Sequence, residues 1–142
     1  MLKVAKPGVD VGIIVKDIAA QTRFYSGTLG LPKSGEVPLP NGTLHIFACG
    51  NSLLKLYEIV GANAAGPAGE FGTRTGIAYI TLDVQNIDAL MEAVKRDGAT
   101  VLTPVSEFDA GVSLPEPVGR VKARYAMLAD AEGNRVELLQ RR

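Results

Sequence analysis

The chain carries no net charge, no long hydrophobic run, a single cysteine and a single histidine, and each shortage removes a class of function. Its 15 basic residues are balanced by 15 acidic ones and interspersed with them, which argues against a nucleic-acid binder or a membrane-surface protein. There is no strip of mixed basic and aromatic residues of the kind that stacks bases and neutralises phosphates. No stretch approaches the roughly 20 apolar residues of a membrane span, and the opening Met1 to Pro7 has too short an apolar run for a signal peptide. A lone Cys49 excludes an internal disulfide, so a reducing cytoplasm is the expected location and Cys49 reads as a small buried hydrophobe. A lone His45 excludes an iron site of two histidines and one carboxylate within this chain. The glycines between Gly61 and Gly76 have no strand-to-helix context, so a phosphate-binding loop is excluded as well.

What is present is an apolar fraction of 46% over 142 residues, enough for a sizeable core, and an internal repeat. In the first half, Val9 to Val15 is a β-branched run that reads as a strand. Asp17 stands where a helix N-cap belongs, and Ile18 to Leu29 has helical spacing closed by Gly30 and Pro32. Strands then follow near Glu36 to Leu39, Leu44 to Ala48 and Leu53 to Val60, with turns at Asn41-Gly42 and Gly50-Asn51. The second half repeats the order: a strand from Gly76 to Val84, Asn86 capping a helix from Ile87 to Arg96, and Gly98 ending it. Strands follow at Thr100 to Ser106, Arg120 to Ala129 and Arg135 to Gln140. The expected organisation is a first βαβββ module over 1–60, a linker over 61–75 and a second βαβββ module over 76–142, one structural domain overall. One helix covers one face of a four-stranded sheet, so the other face must meet something. The fold class expected is α+β, two βαβββ modules forming a curved eight-stranded mixed sheet around a central trough, with the helices outside.

Strand alternation assigns faces. Val11, Ile13 and Val15 form the greasy set of the first strand, leaving Asp10, Gly12 and Ile14 for the trough. Tyr79, Thr81 and Asp83 oppose Ala78, Ile80 and Leu82; Arg135, Glu137 and Leu139 oppose Val136 and Leu138. Glu58 falls with Leu54 and Leu56. Asp10, Glu58, Tyr79 and Glu137 begin or end strands at matching places in their halves and are the expected trough-facing set. A carboxylate isolated in an apolar trough has to be paired, hydrogen-bonded, protonated or metal-bound. His45 alternates with Thr43 and Phe47 and is a candidate acid or base if it faces the trough, a structural histidine if it does not.

Asp10-Val11-Gly12-Ile13, Asp17, Phe24-Tyr25, Leu29-Gly30-Leu31 and the closing Gly133-Asn134-Arg135-Val136-Glu137-Leu138 together resemble the vicinal oxygen chelate superfamily. That superfamily includes glyoxalase I, methylmalonyl-CoA epimerase, extradiol dioxygenases and bleomycin-resistance proteins, and the likeness covers nearly the whole chain. Carried over by position, the resemblance implies metal ligands at Asp10, Glu58, Tyr79 and Glu137. Asp10 and Tyr79 stand where the family places histidine. It also implies a homodimer.

Oxygen donors in place of imidazole shift the preference from Zn²⁺, Ni²⁺ and Fe²⁺ toward Mg²⁺, Mn²⁺ or Ca²⁺. The cofactor is left open between a divalent metal (Mg²⁺, Mn²⁺ or Zn²⁺) and none. Without a metal, converging carboxylates would share a proton and act as acid and base, with Tyr79 donating to a developing oxyanion. The functional expectation is a small-molecule isomerase, epimerase or lyase working by proton transfer beside a carbonyl through Glu137, Glu58, Asp10, Tyr79 and His45. The alternative is a non-catalytic small-molecule binding or antibiotic-resistance protein using the same trough. Blander readings stand beside these: Glu58 and Glu137 satisfied by Arg135, Arg124 or backbone amides, Asp10 paired with Lys55, and Tyr79 as packing. Asp109 to Pro117 is expected as a covering loop, and Arg120, Lys122 and Arg124 as either an anion grip or a solvated face.

Overall fold

A computed structural model describes residues 1–64, 70–73 and 75–142; of the expected linker over 61–75, residues 65–69 and 74 therefore lie outside the described residues. The chain divides into two units, Met1–Ala65 and Gly66–Arg142. In the first, strands β1 (Val11–Val15), β2 (Lys33–Leu39), β3 (Gly42–Cys49) and β4 (Ser52–Ile59) form one sheet in the order β1-β4-β3-β2. In the second, β5 (Ile80–Asp83), β6 (Thr100–Leu114), β7 (Gly119–Ala129) and β8 (Arg135–Arg141) form another in the order β5-β8-β7-β6. Each unit is α+β, and its first strand runs parallel to its last while the other pairings are antiparallel. The eight strands are thus organised as two four-stranded mixed sheets.

In the first unit Asp17 is the N-cap, its side chain accepting the Ala20 amide at 3.0 Å, a bond of a kind worth about 1 kcal/mol. The segment expected as one helix is α-helical only over α1 (Ile18–Thr22) and widens into a π-type turn over Arg23–Thr28. The wider turn, closed by the Leu29 amide donating to the Phe24 carbonyl, brings Phe24, Tyr25, Thr28 and Leu29 all into the interior. Phe24 and Tyr25 meet edge to face at 4.9 Å. They share the core with Val15, Phe47, Leu54 and Leu56, each fully buried aliphatic or aromatic side chain contributing about 1.5–3 kcal/mol.

The second unit has a regular helix, α2 (Ile87–Asp97), ended by Gly98 in the left-handed conformation at φ 69°, where a side chain would be strained. Asn86 occupies the N-cap position without a side-chain capping bond. Instead the Ile87 amide donates to the Gln140 side-chain oxygen of β8 at 2.9 Å. Ile87 and Val94 of α2 are buried with Ala126, Leu128, Val136 and Leu138 of the sheet. Neither helix is long and apolar enough to cross a membrane.

One expected loop is shortened to a turn. Asp109 to Leu114 belongs to β6, which pairs with β7 as far as Leu114↔Gly119. The register shifts between Asp109 and Ser113 take up Gly111 within the strand, and only Pro115 to Val118 remain as the turn into β7.

Candidate functional site

The second unit holds an open cavity of about 910 Å³. Its floor is the sheet face opposite the core: Tyr125 and Met127 of β7, and Glu137 and Leu139 of β8, with Tyr79 just ahead of β5. The faces are those expected from alternation, because Val136 and Leu138 are fully buried and force their neighbours outward. Glu137 stands opposite Thr81 in the parallel β5–β8 pair, and the Thr81 hydroxyl donates to its carboxylate at 2.9 Å. Phe71 stacks on Tyr79 with centroids 6.2 Å apart and planes 26° from parallel. The Arg135 guanidinium lies 5.4 Å from the Phe71 centroid, a cation–π contact on the cavity wall. The cavity therefore joins an aromatic wall to one fixed carboxylate, Glu137, with the cations of Arg135, Arg141 and Lys122 also in its lining. Phe71 was not legible beforehand, since it is a lone aromatic in a Gly/Ala-rich stretch with no periodicity.

The first unit treats its candidates differently. Asp10 precedes β1, and its carboxylate accepts from the Lys6 ammonium at 2.5 Å and from the Leu53 amide at 2.9 Å. Lys55 Nζ is 3.7 Å from its other oxygen. The Lys6 bond, then the Leu53 amide and the charges of Lys6 and Lys55, hold the Asp10 carboxyl below the usual carboxylate range. Glu58 is not near it: it pairs with Val15 at the far end of β1, roughly 15 Å along the strands, and on the other face. Glu58 shares the buried face with Leu56 and His45 because the register sets Thr43 opposite Glu58 and His45 opposite Leu56.

His45 is buried between two carboxylates, its Nδ1 3.3 Å from Glu36 and its Nε2 3.5 Å from Glu58, neither aligned as a hydrogen bond. Phe47, fully buried on the same face, fixes this orientation, so the histidine belongs to the core side of its sheet. Of the basic row on β7, Arg124 pairs in two-pronged fashion with Asp88 of α2 at 2.7 and 2.8 Å, and Arg120 with Asp109 at 2.9 Å. These pairings spend two of the three cations on the protein's own carboxylates.

The implied ligand set does not fit a metal ion. Asp10 and Glu58 occupy opposite ends and opposite faces of their sheet, and Asp10 is already satisfied by two ammonium groups and an amide. No group of three or more His, Cys, Asp or Glu side chains placed to hold an ion occurs among the described residues.

No curated protein matches this chain in sequence. Among solved structures, a glyoxylase/bleomycin resistance protein/dioxygenase domain from Frankia sp. EAN1pec is similar at TM-score 0.71 and 19% identity, covering 100% of this chain and 99% of that one. An antibiotic binding protein from Streptomyces sp. CB03234 is similar at TM-score 0.63 and 21% identity, over 99% and 100% of the two chains. Lactoylglutathione lyase from Agrobacterium tumefaciens is similar at TM-score 0.61 and 20% identity, over 97% and 96%. At these identities the structures establish the fold alone. The family model for the Glyoxalase/Bleomycin resistance protein/Dioxygenase superfamily matches residues 9–138, and the chain belongs to that superfamily.

Proposed function

We propose that the protein binds a small, largely apolar and aromatic molecule in the cavity of its second unit. The observation that carries this reading is the wall built by Phe71 and Tyr79, with Tyr125 and Met127 beneath and Arg135 across the Phe71 ring. A cavity of about 910 Å³ lies within the usual range for small-molecule sites, which are mostly apolar with a few placed polar groups. The structural likeness to an antibiotic binding protein supports the same reading. Titration calorimetry against a panel of planar aromatic acids and antibiotics tests it. Phe71→Ala is expected to weaken binding about tenfold, or about 1.4 kcal/mol, with circular dichroism unchanged and the ligand recovered unaltered. Binding that is indifferent to Phe71 and Tyr79 would sink it.

The enzymatic reading keeps one supporting observation. Glu137 sits in this cavity with a hydroxyl partner, where a carboxylate could take a proton from a bound substrate. Turnover of any bound ligand that disappears in Glu137→Gln, with affinity retained, would favour proton transfer over simple binding. The homodimer reading draws support from exposed apolar residues on β6, among them Val101, Phe108 and Val112. Light scattering across a dilution series checks it.

A further inference from the structure

The internal repeat supplies its own alignment, independent of any relative. Asp10 and Tyr79 stand equally far ahead of the helix caps Asp17 and Asn86, and so do Gly12 and Thr81. In the parallel pairs, Thr81 is registered with Glu137 and Gly12 with Lys55. The first-unit counterpart of Glu137 is therefore Lys55, not Glu58. The second unit carries a carboxylate supported by a threonine hydroxyl. At the same place the first unit carries an ammonium beside a bare glycine, with no atom within 4 Å of where a Gly12 side chain would begin.

We infer that Lys55 is a tethered cation that closes the Asp10 end of the first sheet to divalent metal ions. The chemistry is direct. An ammonium offers N–H donors and no lone pair, so Lys55 cannot ligate while charged. Lys6 and Lys55 already bring two positive charges to the single negative charge of Asp10. A divalent ion at that carboxylate would meet both at contact distances in a half-buried setting, where the repulsion is stronger than in water. Both Asp10 oxygens are also engaged, one by Lys6 and the Leu53 amide, the other by Lys55. The two halves of the repeat have thus kept the strand register and exchanged the sign of the charge on it.

The test uses the tag-free full chain and titrates Mn²⁺, Ni²⁺ and Zn²⁺ by calorimetry, with bound metal checked by elemental analysis. Wild type is expected to take up no stoichiometric ion at Asp10. Lys55→Glu places a second carboxylate beside Asp10 and is expected to gain at least tenfold in Mn²⁺ or Ni²⁺ affinity. Adding Asp10→Asn to Lys55→Glu should erase that gain. A folded Lys55→Glu that gains nothing overturns the inference, and so does a stoichiometric ion in wild type that Asp10→Asn removes. An ion in wild type that survives Asp10→Asn lies elsewhere and leaves the inference standing. Should Lys55→Glu not fold, Lys55→Gln, which removes the charge alone, is expected to raise Mn²⁺ or Ni²⁺ affinity at Asp10 severalfold, and no gain there overturns the inference.

Discussion

The two units use the same chain grammar and the same strand pairings, yet they put their polar side chains to different uses. The first buries His45 between Glu36 and Glu58 on its core side and ties up Asp10 on the other face with two lysines. The second keeps Arg124 and Gln140 on its core side, both bonded to α2, and it gathers Glu137, Arg135, Tyr79 and Phe71 around an open cavity. What is common to both is the alternating apolar set that packs against the helical segment, because that set decides the fold. The opposite face carries no such obligation and was free to diverge. A repeat of this kind is therefore a guide to architecture, and a guide to chemistry only after the register is known.

That comparison can be broken most directly in the cores. Leu56 and Leu138 are matched in the repeat and both fully buried. Leu56→Ala and Leu138→Ala are each expected to cost about 2–5 kcal/mol in urea unfolding. If one is nearly neutral, the two cores are not equivalent. A smaller effect is expected in acid. Lys33 holds Glu36 below the ordinary carboxylate range, as Lys6 holds Asp10 and Arg124 holds Asp88; Asp109 is held there first by the Gly111 amide and then by Arg120. A depressed carboxyl contributes stability that is present above its ordinary pKa of about 4 and is lost as pH falls through its folded value. The melting temperature should fall below about pH 4, and Asp10→Asn and Asp88→Asn should each flatten that descent; an unchanged acid limb in both would deny these pairs any role. The smallest effects lie at the caps. Asp17→Ala should cost about 1 kcal/mol and Asn86→Ala only a few tenths, since Asn86 makes no side-chain capping bond. Equal losses in denaturant titrations would contradict the asymmetry.

Much of the fold was legible because its signals are local. Asp17, Gly30 and Gly98 mark helix ends, Asn41-Gly42 and Gly50-Asn51 mark turns, and Val136-Glu137-Leu138 declares its faces by alternation alone. The candidate site was legible only in part, for one physical reason. Strand pairing is a relation between distant segments, and a carboxylate near a strand end says nothing about which partner residue it will meet. Glu58 looked like the match for Glu137 because both are glutamates late in a half. The register instead gives that place to Lys55 and turns Glu58 inward beside His45. The extension of β6 past Asp109 and the π-type widening after Thr22 were hidden similarly, since each is set by packing against a partner rather than by its own residues.

The capping of α2 by Gln140 carries a consequence for how the second unit is assembled. A helix that supplies its own cap finds the acceptor within its own first residues; α2 borrows its acceptor from a strand more than forty residues later. Its start is therefore secured only when β8 docks, which ties the ordering of the helix to the ordering of the strand that bears Glu137. Clipping the chain before Gln140 should leave the amino end of α2 frayed, with fast amide exchange at Ile87, even where the rest of the helix persists.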